Sequence, residues 1–363
     1  MTHLSTTPAG LPRELVAVLQ LLALEAAAPL EVVRGAAEQV FASGLAGPRL
    51  TIAWHGDEPL AAGLPSFESA LAEVERARRL LAPRTVVVHA VQTKGLVLSP
   101  AWCELLARWG VFVNVELDGP AALHDTRRAE PTHARVVAGV ELLRRAGVEP
   151  HAVAAVSRAS LEQPDALYDF FRRAGVRDVR LTLDELGAPD AEVARFFGRL
   201  LTRALGDLPE RRVSVRELDT FAASLLDGRP RVPPPRRLES APMRVLGVSR
   251  SGDWVTYSPA LLGAPHPTLG SFVLGNVLTT PLLDGLTSPK LGALDEEVRA
   301  GVEACRASCS FFDFCGGGAA ASKLQELGRL SGTETRACRL GTKALVRGVL
   351  DSLEAFARSV QSN

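Results

Sequence analysis

Apolar, β-rich runs alternate with amphipathic helical patterns from residue 50 to about residue 205, and this alternation constrains the fold more than anything else in the chain. Residues 50–54, 85–90, 111–117, 151–156 and 179–183 read as strands. Residues 67–81, 100–109, 134–146, 163–174 and 191–204 read as helices; in the first, Leu71, Val74, Ala77 and Leu81 recur at helical spacing. Strands so regularly separated by helices form βαβ units and a parallel sheet rather than hairpins. The expected fold is α/β, a partial (β/α) TIM-like barrel of five or six parallel strands. The polar candidates fall at or just after strand ends, which is the rim where such barrels carry their sites.

The chain has 363 residues, enough for one large α/β domain and a smaller one, and its 41 basic and 41 acidic residues cancel. That balance gives no electrostatic case for nucleic acid or an anionic membrane. The apolar run at 15–30 contains Gln20 and Glu25 and continues into Glu31, Arg34 and Glu38. It is too short and interrupted to span a bilayer, and the expectation there is an amphipathic helix. The cysteines number five, with none before Cys103, which argues for a reducing, cytoplasmic compartment rather than a disulfide framework.

Further along, 229–237 is rich in Pro and Arg and reads as a linker. Ser251-Gly252-Asp253 reads as a hairpin turn between 246–249 and 254–257, and 340–360 as a closing helix. The expected organisation is a helical segment 1–49, a barrel 50–215, a linker and short β section 216–290, and a cysteine module 291–363.

Four cysteines gather in that module as Cys305-x3-Cys309-x5-Cys315, followed by Gly316-Gly317-Gly318, with Cys338 separated from Cys315 by 22 residues. Four thiolates at such spacing suit one zinc ion or one iron–sulfur cluster equally well. The bland reading is four packed thiols, since free cysteine is often buried as a small apolar residue. Cys103, inside a helical pattern, reads as a packed thiol, and His89, His133, His151 and His266 as ordinary structural histidines. No two-His-one-carboxylate pattern with local spacing occurs, so a non-haem iron site has no support.

Taken together, the motifs resemble the radical SAM/SPASM maturases that modify ribosomal peptides, from about residue 50 to the C-terminus. His55-Gly56-Asp57-Glu58-Pro59-Leu60 is similar to the family's His-Gly-Gly-Glu-Pro-Leu, and Gln92-Thr93-Lys94-Gly95 to its Gln-Thr-Asn-Gly. Leu117-Asp118-Gly119-Pro120 with His124-Asp125-x2-Arg128 matches Leu-Asp-Gly-Pro-x3-His-Asp-x2-Arg. Leu274-Gly275-Asn276-Val277, Gly301-Val302, the cysteine cluster, Lys323-x2-Glu326-x-Gly328 and Thr333-Glu334-Thr335 resemble the cyclophane-forming type, whose SPASM or twitch module carries Cys-Gly-Gly-Gly. The resemblance decides between the two fillings of Cys305, Cys309, Cys315 and Cys338: it implies one [4Fe–4S] cluster, with zinc as the alternative.

The chain departs from the family at one pocket. The family's Cys-x3-Cys-x2-Cys loop, whose cluster binds and cleaves S-adenosylmethionine, has no counterpart in residues 1–102. Residues 10–22 read instead as an apolar helix without soft ligands. Asp57 replaces the glycine whose backbone the family brings close to the cofactor, Lys94 replaces an asparagine, and Glu116 stands near the position of the cofactor's carboxylate. An internal charge network of Asp57, Lys94 and Glu116 is the expected outcome. His55, Gly56, Asp57, Glu58 and Pro59 are thus a degenerate cofactor motif, and no S-adenosylmethionine is expected. The resulting expectation is a non-cleaving member that binds a precursor peptide or partners an active maturase, as a homo- or hetero-dimer. The alternatives are a structural zinc protein, or an enzyme using Glu58, Asp57, Lys94, Glu116, Asp118, His124 and Asp125 for acid–base work.

Overall fold

A computed structural model describes residues 19–183, 187–207, 213–227 and 238–361. Seven strands run parallel in chain order: β1 (Leu19–Glu25), β2 (Ala46–His55), β3 (Val86–Thr93), β4 (Phe112–Glu116), β5 (Pro150–Ala155), β6 (Asp178–Thr182) and β7 (Ser214–Val215). Beyond β1 the sheet continues through β8 (Val245–Val248), which is parallel to β1. Antiparallel β9 (Asp253–Thr256) and the short strand Gly275–Asn276 bring the sheet to ten strands among the described residues.

The helix expected from the apolar run at 15–30 does not form in its described part. From Leu19 that run is β1, and 1–18 lies outside the described residues, as does the linker 229–237. The reason is burial on both faces. β1 pairs with β2 on one side and β8 on the other, and Leu22, Ala23 and Leu24 are buried. A strand covered on both faces reads as a continuous apolar run, which periodicity does not separate from a buried helix. In its described part, residues 19–49, the expected helical segment is a strand, then the helix α1 (Leu30–Ala42), then the start of β2.

The crossover helices follow the expected pattern: α2 (Leu64–Leu81), α3 (Pro100–Arg108), α4 (His133–Arg145), α5 (Pro164–Ala174) and α6 (Asp190–Gly206). Local chemistry sets their ends. Pro100 opens α3 behind Ser99, whose side chain accepts the Trp102 N–H, and Gly175 closes α5 in the left-handed region at φ 69°. Trp54 on β2, Phe67 on α2 and Trp102 on α3 pack edge to face, with ring centroids 5.5 and 5.7 Å apart.

After α7 (Arg216–Asp227) and the β8–β9 hairpin come α8 (Pro289–Ser308), short helical turns, and α9 (Leu345–Gln361). α9 lies against α6 with backbones in contact. A Cβ on Gly348 would stand 2.0 Å from the Ala194 carbonyl oxygen, and one on Gly198 3.0 Å from the Gly348 carbonyl oxygen. Leu330, Leu340, Leu345, Val346 and Val349 belong to the same core as the strands. The C-terminal module therefore shares the core of the sheet. Among the described residues no helix is long and apolar enough to cross a membrane.

Candidate functional site

The rim residues divide into two clusters. In the first, Glu58 follows β2 and its carboxylate accepts the Thr93 hydroxyl at 2.8 Å, the Lys94 N–H at 2.9 Å and the Leu60 N–H at 3.2 Å. It pins the loop after β2 to the end of β3. Asp57 stands clear of the body at 93% exposure and pairs with Lys94 Nζ at 2.6 Å. Glu116 accepts from the Gln92 amide at 2.9 Å instead of joining them. The expected three-member charge network is thus an exposed pair, with Glu116 held by Gln92 instead; such a pair contributes little to stability. Gly56 has φ 135°, a conformation that costs a side chain-bearing residue dearly, and Pro59 opens a short helical turn. His55 ends β2 with its Nε2 buried and unpartnered among the described residues; burial holds its pKa below the ordinary histidine value, opposed by Glu25.

In the second cluster the side chains serve the backbone. Asp118 is buried; its Oδ1 accepts the Ala155 N–H at 2.8 Å, and its Oδ2 forms an ion pair with Arg128 Nη1 at 3.1 Å without hydrogen-bond geometry. His124 is fully buried, and its Nδ1 accepts the Asp118 N–H at 3.2 Å. The ring proton therefore sits on Nε2, 3.0 Å from the Thr132 hydroxyl. Burial lowers the pKa of His124, helped by Arg128 and opposed by Asp118 and Asp125. Asp125 accepts the N–H groups of Thr132 and His133 at 2.8 and 2.9 Å, and these bonds hold its carboxyl below the usual range while capping α4.

The four cysteines arrive from three segments. Cys305 lies in the last turn of α8, and Cys309 caps that helix through its N–H to the Cys305 carbonyl at 2.9 Å. Cys315 ends the short helix Phe312–Cys315, with Gly316 left-handed behind it at φ 68°. Cys338 ends the turn Arg336–Cys338, where Thr335 accepts its N–H at 3.1 Å. All four border one cavity of about 150 Å³, together with Gly317, Gly318 and Lys343. They surround this space without converging on a point: among the described residues, no three His, Cys, Asp or Glu side chains are grouped to hold a single ion.

Lys323 was quoted from the sequence only as part of a motif; its place behind these thiols was not foreseen. Lys323 is 3% exposed, and its charge acts on Cys305, Cys315 and Cys338. Burial lowers the Lys323 pKa and raises that of Cys305, each opposing the other. Gly301 is open to this ammonium: a Cβ there would stand 2.9 Å from Lys323 Nζ. Gln39 was also missed. Its amide donates to the Val277 and Thr280 carbonyls at 2.7 and 3.2 Å and accepts the Leu282 N–H, tying α1 to the segment after β9.

No family model matches the chain. The uncharacterized protein sll1766 of Synechocystis is 30% identical over 346 residues, covering 90% of this chain and 85% of that one. The serine-type anaerobic sulfatase-maturating enzyme of Bacteroides thetaiotaomicron is 27% identical over 184 residues, 50% of this chain and 44% of the enzyme. Among solved structures, native anSMEcpe with bound AdoMet aligns with a TM-score of 0.74 at 17% identity, over 93% of this chain and 99% of that one. Streptococcus suis SuiB bound to its precursor peptide SuiA aligns with a TM-score of 0.58 at 13% identity, over 90% and 77%. The fold is the radical SAM fold of these solved structures. The chain belongs to one family with the Synechocystis protein.

Proposed function

We propose that this chain is a non-cleaving member of a peptide-maturation pathway. It binds a precursor peptide or partners an active maturase, and it carries one four-thiolate centre. One observation carries the reading. β1 ends at Glu25 and α1 begins at Leu30, so residues 26–29 alone connect them, and they are Ala, Ala, Ala and Pro. A Cys-x3-Cys-x2-Cys loop is longer than this connection, which also offers no thiolate to iron. The AdoMet-side residues fit no better: Glu58 has its carboxylate taken by Leu60, Thr93 and Lys94, and Asp57 projects a charge where the family has glycine.

The C-terminal thiols fit a [4Fe–4S] cluster. Tetrahedral zinc with Zn–S near 2.3 Å draws its four sulfurs to about 3.8 Å from one another, whereas a cubane fills a space between them. Four thiols bordering a cavity of about 150 Å³ suit the larger group. Cys305, Cys309, Cys315 and Cys338 would hold it, and it would supply one-electron redox capacity and a tie between chain segments. The cyclophane-type assignment rests on the motifs from Leu274 to Thr335. Peptide binding is supported by neighbours of the same fold, SuiB with SuiA and anSMEcpe with its Cp18Cys peptide. Acid–base chemistry at the rim loses its residues, because Glu58, Asp118, His124 and Asp125 are committed to the backbone.

The test is calorimetric titration of AdoMet into the anaerobically reconstituted full chain, with iron measured on the same sample. The expected result is no saturable binding, with about four irons per chain. Saturable micromolar binding overturns the proposal for the barrel, and one zinc without iron overturns it for the module.

A further inference from the structure

A second cavity, of about 280 Å³, opens where the end of β6 meets α7, the cysteine module and the start of α9. This is far more than one water fills and slightly below the size of ordinary small-ligand pockets, so it suits one amino-acid residue rather than a length of chain. One wall is apolar, with Phe221 and Phe314 at 4.6 Å between ring centroids and Leu345 beyond them. Cys315 belongs both to this wall and to the four-cysteine cavity.

The polar groups are not equivalent. Arg216 is engaged by Asp178 at 2.7 Å, and Glu239 receives the Ser258 hydroxyl at 3.2 Å. The Glu217 carboxyl is anchored by the Leu181 N–H at 3.0 Å. Burial raises its pKa, against the opposing influence of that bond and of Arg180 and Arg216, which favours the neutral acid and leaves a hydroxyl to donate. Arg180 is exposed at the mouth; its charge acts on Glu217, but it makes no ion pair among the described residues. Its guanidinium is the lining charge left for a ligand, and its planar fork matches a carboxylate.

We infer that this cavity binds one carboxylate carried on an apolar body, with the carboxylate on Arg180 and the apolar part against Phe221 and Phe314. A peptide ending in an apolar residue and a free small aromatic acid share this chemistry. The inference holds whatever the chain does with AdoMet and whatever metal the thiols take.

The experiment is calorimetric titration of the full chain with N-acetylphenylalanine, its amide, phenethylamine and the tripeptide Gly-Gly-Phe. The acid is expected to bind at least about tenfold tighter than the amide, a difference of about 1.4 kcal/mol. Arg180→Gln is expected to bring the acid down to the amide's level without moving the melting temperature. A tighter Gly-Gly-Phe points to a peptide terminus and a tighter N-acetylphenylalanine to a free acid; both support the site. Equal affinity for acid and amide, preference for the amine, no binding, or an acid preference that survives Arg180→Gln overturns it.

Discussion

Glu25 and His55 are register partners at the ends of β1 and β2, and the chain turns from there into α1 within residues 26–29. The turn is tied on both sides: Ala26 donates its N–H to the His55 carbonyl at 2.9 Å, and Glu25 accepts the Arg250 N–H at 2.9 Å. A carboxylate thus closes this end of the sheet. Glu25→Ala is expected to cost about 0.5–1.5 kcal/mol, the net value of such a bond, read as an earlier urea midpoint at unchanged slope. An unchanged midpoint contradicts this structural role.

His124 sets a pH dependence. Its folded pKa lies below the unfolded value near 6.5, so the unfolded chain binds the proton more readily. Its contribution is present above about pH 6.5 and lost as pH falls toward the folded pKa. His55 is lowered in the same direction. Wild type should lose more stability between pH 7.5 and about 5.5 than His124→Asn, because Asn keeps an acceptor for the Asp118 N–H and cannot titrate. Parallel pH profiles of the two proteins count against it.

Lys323 is the buried counter-charge of the thiols. Lys323→Met keeps most of the apolar stem, so the empty protein should fold at least as well, while retention of an anionic four-thiolate centre weakens. The measurement is the rate of metal release to a chelator, expected to rise about tenfold or more, a difference of at least about 1.4 kcal/mol. Equal release from both proteins refutes the role.

Gly348 decides whether the module is separate. Gly348→Ala drives a Cβ into the Ala194 carbonyl and forces α6 and α9 apart, at a cost of about 1–3 kcal/mol. Because the core is continuous, tryptophan fluorescence and protease cleavage near the C-terminus should report one transition, shifted together. Release of α9 with the sheet intact contradicts a shared core.

The strands from β2 to β6 were legible because each apolar run is bounded by turn signals and followed by a helix of clear period. β1 was not, since a strand buried on both faces carries no alternation. The motifs located the rim, but roles such as those of Asp118 and His124 depend on which backbone N–H groups lie opposite, and strand register decides that. Gln39 reaches Val277 across 238 residues of chain, and Glu217 and Arg180 meet only when α7 packs beside β6. No local pattern announces such pairs. Gly275 was legible as motif and explicable only as geometry, and Gly285 was not legible at all: both leave room for Trp254, whose ring atoms would lie 2.8 and 2.3 Å from a Cβ at those positions.

The most direct test of the central claim is the assay for 5′-deoxyadenosine. The full chain, reconstituted anaerobically with iron and sulfide, is incubated with AdoMet and a strong reductant, and the nucleoside is quantified against a control without protein. Because residues 26–29 supply no thiolate and Glu58 is engaged by the backbone, the product should not exceed the control. Product above the control, formed in proportion to protein, contradicts the account.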